Sequence, residues 1–315
     1  MDIKKKLYII TGFLGAGKTT FINRLPEIFP YEKYAVIINE FGDKSVDHSL
    51  IKDNNINISK VTNGSIFCVC RQDKFVDALI ALSKTDSKFV FVETSGMSDT
   101  LKMEKILITA QKLSNNAYLY SGCISIADSV SFLKVYHTLN AVKNQIISAD
   151  AVLINKSALT DESSLIEIEK KILSLNPLVK VSRANFCVPD DNSILINLEH
   201  KNTKRNYIDL SSDIYRSFTI ILDNSLPLDK FKKWTALILK YAFRIKGFAV
   251  LDNEIQLIDC IPDIINIKKL NEEIINKFLI IIHDGKTPLI NIAKNEFYNI
   301  FNSNLNVNKP ETSSL

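Results

Sequence analysis

Eight consecutive residues, Gly12-Phe13-Leu14-Gly15-Ala16-Gly17-Lys18-Thr19, have the types and spacing needed to hold a triphosphate. The glycines let the backbone turn its N–H groups inward around an anion, and a helix starting at the lysine brings its positive end to the same point. Lys18 supplies an ammonium for the β- and γ-phosphate oxygens, and Thr19 supplies a hydroxyl for Mg2+. Gly12, Gly15, Ala16, Gly17 and Thr20 complete the predicted lining. The pattern is informative only between an apolar strand and an amphipathic helix. Both are expected here, a strand over residues 7–11 and a helix over 19–28.

Further chemistry collects at the ends of other apolar runs. Residues 89–92 lead into Glu93-Thr94-Ser95-Gly96. In an open α/β sheet ligands lie beyond the carboxyl ends of strands, so Glu93 is expected to face the phosphates. There it binds Mg2+ through water or orients the attacking water, while the Gly96 N–H senses the γ-phosphate. Lys18, Glu93 and Gly96 are the candidate catalytic groups. Asn39-Glu40-Phe41-Gly42-Asp43 opens a polar loop with Asp47 and His48, suited to a nucleotide-sensing switch. Asn155-Lys156-Ser157-Ala158 follows a third apolar run and matches the guanine-reading N-K-x-D element, except that Ala158 stands where the aspartate should be. That carboxylate pairs with the N1 and N2 donors of guanine, and its loss leaves the base open between GTP, the favoured choice, and ATP. Asp161 substitutes only if the loop folds back.

These residues need a scaffold that brings several strand ends together. Strands predicted at 7–11, 34–38, 89–92 and 151–154 alternate with helices at 19–28, 99–113, 131–147 and 161–175, the order of a mostly parallel sheet with helices on both faces. A boundary is expected in the polar segment 201–213. Beyond it, strands at 215–222, 244–251, 254–261 and 278–283 with helices at 228–242 and 288–301 make a small α+β domain. The fold class is thus α/β, a P-loop nucleoside triphosphatase domain (1–200), a linker (201–213) and a carboxyl-terminal α+β domain (214–301), ending in a polar flexible tail (302–315). The 315 residues are 46% hydrophobic and 23% charged, a globular balance that excludes wholesale disorder. A net charge of +4 with scattered basic residues gives no footprint for nucleic acid. No apolar run approaches the roughly 20 residues that span a bilayer, and no export signal is evident, so a cytoplasmic location without membrane contact is expected. The five cysteines form no disulfide framework. Only Cys68 and Cys70 lie close together. Cys123, Cys187 and Cys260 are expected in the core, and His137, His200 and His283 are assigned no role.

Taken together these elements resemble the CobW branch of the CobW/HypB/UreG family of metal-related GTPases. The resemblance rests on G-F-L-G-A-G-K-T-T at 12–20, N-E-F-G at 39–42, E-T-S-G at 93–96, Q-I-I-S-A-D-A-V-L-I-N-K at 145–156 and R-I-K-G-F at 244–248. It implies a GTP-hydrolysing metallochaperone or cofactor-insertion factor, with zinc or cobalt as the metal and a client metalloprotein as partner. Relatives pair subunits around nucleotide, which makes a nucleotide-dependent homodimer an option. Their metal motif, C-x-C-C after Asn-Gly and before Arg, is altered: between Asn63-Gly64 and Arg71, only Cys68 falls on a family cysteine position, with Ser65 and Phe67 on the others and Cys70 additional. Two thiolates can hold one soft ion if further ligands join, from Glu40 and His48 or from a second subunit. An alternative reading is an assembly chaperone for a corrinoid-type or other metalloenzyme that hydrolyses GTP or ATP and carries no metal itself. A small-molecule kinase on the same loop is the weakest reading.

Overall fold

The apolar segment Lys5–Thr11 forms β1 and sits in the middle of an eight-stranded sheet. Its partners are β2 (Tyr34–Asn39), β3 (Ile56–Val61), β4 (Phe89–Glu93), β5 (Tyr118–Asp128), β6 (Ala151–Asn155), β7 (Lys180–Asn185) and the short β8 (Val188–Pro189). The strand order is β3-β2-β4-β1-β5-β6-β7-β8, parallel throughout except for the final β7–β8 pair. This computed structural model describes residues 4–30, 33–39, 56–61, 72–94, 96, 106–107, 111–201, 205–208, 216–222, 224–262, 264–270, 277–283, 285 and 287–311. The chain forms two compact units, Met1–Leu210 and Ser211–Leu315.

The register fixes which residues share the carboxyl end of the sheet. Ile10 pairs with Glu93, Thr11 with Ser125, and Asp128 with Asn155. The chain leaves β1 toward β2 on one side and β5 toward β6 on the other, so a crevice opens at these strand ends. Two apolar clusters hold the sheet. One face carries Tyr8, Ile10, Phe21, Ile22, Phe91, Ile126 and Leu153, all essentially inaccessible. The opposite face packs Leu7, Ile9, Val90 and Val92 on Phe75 and Leu79 of the helix Gln72–Ser83.

Several elements differ from the sequence expectation. The helix over 19–28 is two pieces, Lys18–Asn23 and Leu25–Ile28, because Pro26 lacks the N–H that would bond Ile22 and its ring crowds that carbonyl. The helix over 131–147 divides into Phe132–Thr138 and Asn140–Ser148 around an extended Leu139, with neither proline nor glycine at the break. Of the helix expected over 99–113, residues 106–107 and 111–113 are described, and these are helical. The segment after residue 200 is not a free linker at its start. Asp150 accepts from the Cys123 N–H (2.9 Å), from Arg205 Nη2 (2.7 Å) and from the Lys201 N–H (3.3 Å), and His200 Nδ1 lies 3.0 Å from it. The Asn144 side chain exchanges two hydrogen bonds with the Ile208 backbone, 2.7 and 2.8 Å. His200, Arg205 and Ile208 are therefore tied into the first unit.

The second unit is an antiparallel six-stranded sheet of β9 (Arg216–Ile221), β10 (Ala242–Leu251), β11 (Glu254–Ile261), β12 (Ile264–Lys269), β13 (Phe278–His283) and β14 (Asn306–Glu311), in the order β12-β11-β10-β13-β9-β14. Helices Leu228–Ile238 and Leu289–Phe301 cover one face around the buried Trp234, whose indole N–H donates to the Ala293 carbonyl at 3.2 Å. The polar tail expected over 302–315 is corrected in part: 306–311 pairs with β9 as an edge strand, the place where Pro310 is tolerated. In the R-I-K-G-F element, Gly247 (φ +154°) passes so close to β13 that a Cβ would stand 1.9 Å from the Phe278 carbonyl oxygen. Arg244 forms a bidentate pair with Asp259, 2.9 and 3.1 Å.

Candidate nucleotide site

The chain turns from β1 into Gly12, and its backbone there leaves no room for a side chain. Gly12 has φ +143°, and a Cβ on it would lie 2.4 Å from the Ile126 carbonyl oxygen of β5. Gly15 (φ +76°) and Gly17 (φ +114°) complete a loop that only glycine follows without strain. A Cβ on Gly17 would meet Asn155 Nδ2 at 2.6 Å and Cys187 Sγ at 2.7 Å. The Lys18 ammonium is buried inside this loop and donates to the carbonyls of Gly12 (2.8 Å) and Phe13 (3.2 Å). The loop thus wraps an inward-turned cation. Thr19 and Thr20 lie half-buried in the first turn of Lys18–Asn23.

Glu93 is buried at the end of β4, level with Ile10. Thr94 then donates its N–H to the Ile10 carbonyl at 2.9 Å, which holds the turn against β1. Gly96 packs on the phosphate loop, and a Cβ there would lie 2.6 Å from Leu14 Cδ2 and 2.8 Å from the Leu14 nitrogen. Gln145 of the helix Asn140–Ser148 donates to the Gly96 carbonyl at 3.0 Å, a contact the sequence reading did not foresee.

Asn155 joins three elements. Its Nδ2 donates to the Ala16 carbonyl at 2.8 Å, and its Oδ1 accepts from the Cys187 N–H at 2.8 Å. Lys156 takes a left-handed conformation (φ +62°) and reaches the buried Asp128 at 2.7 Å. Cys187, expected only as a core residue, lies against the loop. Burial pushes its thiol up to about 12, so it stays protonated and donates to the Gly17 carbonyl at 3.2 Å. Ser157 and Ala158 face the β7–β8 turn: Ser157 Oγ donates to the Ala184 carbonyl (3.1 Å), and the Ala158 N–H to Asn185 Oδ1 (2.9 Å). Asp161 does not fold back toward this site. It caps the helix Glu162–Leu175, accepting from the Ser164 N–H at 2.9 Å and from the hydroxyls of Ser163 and Ser164.

The structure therefore brings together the loop, Glu93, Gly96, Asn155 and Lys156 at one end of the sheet. Glu40, Cys68 and Cys70, with Asp47 and His48, lie outside the described residues. Among the described residues, no group of three or more His, Cys, Asp or Glu is arranged to hold a metal ion. No described helix is long and apolar enough to cross a membrane.

This chain is similar to a family of known proteins. A model of the CobW/HypB/UreG nucleotide-binding domain matches residues 6–183. The zinc chaperone YjiA of Escherichia coli (strain K12) is 32% identical over 174 residues, 53% of this chain and 54% of that protein. The zinc-regulated GTPase metalloprotein activator 1 of Dictyostelium discoideum is 24% identical over 224 residues, 59% of this chain and 47% of that protein. The chain thus spans about half the length of these curated relatives. The solved Zn(II)-bound YjiA GTPase from E. coli aligns with a TM-score of 0.46 and 19% identity, over 94% of this chain and 99% of that one. The family match covers more than half of the chain and contains the glycine loop, Glu93, Gly96 and Asn155, so this chain is a CobW-type member of the CobW/HypB/UreG family.

Proposed function

We propose that the protein is a Mg2+-dependent nucleoside triphosphatase, and that its nucleotide cycle governs delivery of a metal ion or metal cofactor to a client metalloprotein. The observation that carries this reading is the loop from Gly12 to Thr19, with three glycines in conformations or contacts closed to other residues and the Lys18 ammonium inside. These residues suit a triphosphate with magnesium. The backbone of 12–17 and Lys18 hold the phosphates, while the Thr19 hydroxyl and Glu93, the latter through water, hold the metal. When bound, Mg2+ would supply charge neutralisation at the phosphates. Glu93 would hold the metal in this way or orient the attacking water, and Gly96 would sense the γ-phosphate through its N–H. Asn155 and Lys156 border the base.

Zinc or cobalt would be cargo rather than a resident group. The printed names of the relatives, a zinc chaperone and a zinc-regulated metalloprotein activator, support zinc first. Cys68, Cys70 and Glu40 are the proposed ligands, and a nucleotide-dependent homodimer and a cytoplasmic setting belong to the same proposal. Zinc titration of the full chain, with and without a non-hydrolysable GTP analogue, tests it. If nucleotide changes zinc affinity, zinc must change nucleotide affinity by the same factor. Cys68→Ser/Cys70→Ser should abolish both effects, and equal zinc affinity in wild type and variant would reject carriage through this pair. Ser65 and Phe67 at two of the family cysteine positions favour a second reading, an assembly chaperone that binds its client without carrying metal. It predicts nucleotide-dependent client binding that is insensitive to those substitutions.

A further inference from the structure

We infer that Gln145 is a positioning residue for the triphosphate, an inference that rests on the nucleotide reading above. By holding the Gly96 carbonyl it fixes the direction of the Gly96 N–H, and so sets how strongly the site prefers a nucleoside triphosphate to its diphosphate. Gln145 is 1% exposed, and its Nε2 lies 3.0 Å from the Gly96 oxygen. A carbonyl only accepts, so the amide presents its NH2 group there and its orientation is settled.

Glycine has the widest choice of backbone angles, so Gly96 needs restraints from outside to aim its N–H. On the chain before it, Thr94 is bonded through its N–H to the Ile10 carbonyl of β1 at 2.9 Å. At the residue itself, the backbone lies so close to the phosphate loop that a Cβ would stand 2.8 Å from the Leu14 nitrogen. On the chain after it, the bond from Gln145 holds the peptide that carries the Gly96 oxygen. Without that bond the Gly96 carbonyl loses a buried partner and the turn loses its restraint on the far side.

Gln145 can impose this geometry because the helix that carries it is fastened elsewhere. Ala141, Val142 and residues 144–148 of Asn140–Ser148 are buried. The Asn176 amide donates to the carbonyls of Ile146 (3.0 Å) and Ala149 (2.8 Å) at its carboxyl end, and Asn144 is bonded to the Ile208 backbone. A group held on a rigid element passes its own placement to the residue it binds. Packing alone does not call for an amide here. Gln145 lines a small cavity with Phe13, Phe132, Val135, Val142 and Ile146, where an apolar side chain of similar length would fill the space without burying a polar group that costs free energy unless bonded.

Calorimetric titration of wild type and Gln145→Met, as full chains, with Mg·GTPγS and Mg·GDP tests this; the adenine pair is used if wild type binds it more tightly. Methionine keeps the length of the side chain but cannot donate. The variant should bind the triphosphate analogue about 10-fold more weakly, the loss of one buried hydrogen bond, and the diphosphate within about twofold of wild type. Phosphate release at saturating nucleotide should slow by a factor similar to the loss in triphosphate affinity. Gln145→Asn, one methylene short of the carbonyl, should give the same split and serves if the methionine variant does not fold. Equal weakening of both nucleotides, or failure of both variants to fold, would make Gln145 a structural residue and overturn the proposal, as would an unchanged triphosphate affinity. Wild type that binds no nucleotide of either base would instead overturn the nucleotide reading itself.

Discussion

Replacing Asn155 with alanine removes two hydrogen bonds that tie the phosphate loop to the rest of the sheet. The side chain is only 3% exposed, and both partners, the Ala16 carbonyl and the Cys187 N–H, belong to fully buried residues. A buried backbone group left without its partner costs about 1–3 kcal/mol. Because the two bonds share one side chain they add imperfectly, and a combined loss of about 3 kcal/mol is expected. For a unit of this size that lowers the melting temperature by about 6–12 °C. Asn155→Asp keeps an acceptor for the Cys187 N–H but sets a carboxylate oxygen against the Ala16 carbonyl, so it should be destabilised at least as much. The assay is thermal unfolding of the full chain without nucleotide, followed by circular dichroism, with nucleotide affinity measured alongside. Melting within about 2 °C of wild type would refute the reasoning, since such a shift corresponds to 1 kcal/mol or less. The loop would then hold its shape without the clasp.

Other perturbations separate the remaining parts of the account. Gly96→Ala puts a methyl 2.8 Å from the Leu14 nitrogen, so the loop backbone must shift, and phosphate release should fall by about 100-fold. Relief by Leu14→Ala would count against this, because that change leaves the backbone contact in place. Asp161→Ala should cost about 1 kcal/mol in urea unfolding through loss of a helix cap. It should leave the GTP-to-ATP affinity ratio unchanged, and a changed ratio would bring Asp161 back to the base site. Burial alone would raise the Asp150 carboxyl, but hydrogen bonds from His200 and the Cys123 N–H, with the Arg205 charge, outweigh it and hold the group below the usual carboxylate range. A depressed carboxylate stabilises the fold above its unfolded value, and the contribution fades as pH falls from about 4 through the folded value. Asp150→Asn should therefore flatten the acid side of the stability profile, and an unchanged acid slope would refute the linkage.

The parts of the fold legible in the sequence were those with a strong local period or a motif. Residues 7–11, 89–92 and 151–154 are continuous apolar runs, and each forms a strand where expected. The strand beside β1 escaped notice, although it is the neighbour that shapes the loop. β5 reads Tyr-Leu-Tyr-Ser-Gly-Cys-Ile-Ser-Ile-Ala-Asp, whose serines and glycine break the apolar signal, yet its last eight residues are all buried. Small polar side chains fit there because neighbouring strands and helices press close: at Gly122 (φ +146°) a Cβ would sit 3.1 Å from Asp150 Oδ2 and from Leu198 Cδ2. β14 was hidden for a different reason. Its polar residues carry no burial signal, and its pairing with β9 depends on backbone contacts between distant segments. At the site, the loop, Glu93 and Asn155-Lys156 were read from their own spacing. Gln145, Asn185 and Cys187 were not, because each acquires its contact only when separate strand ends meet. Cys187 lies 170 residues from its hydrogen-bond partner Gly17. The end of β7, another strand finishing on the same edge, is the signal that would have drawn attention to Asn185.

The central claim is that the backbone turn after β1 and the Lys18 ammonium hold a triphosphate. Calorimetric titration of Mg·GTPγS into wild type and Lys18→Ala tests it most directly. The account predicts saturable binding by wild type and an affinity lower by about 10- to 100-fold in the variant, the loss expected for hydrogen bonds to a charged group. Equal affinity in the two proteins, or no binding by wild type, would contradict it.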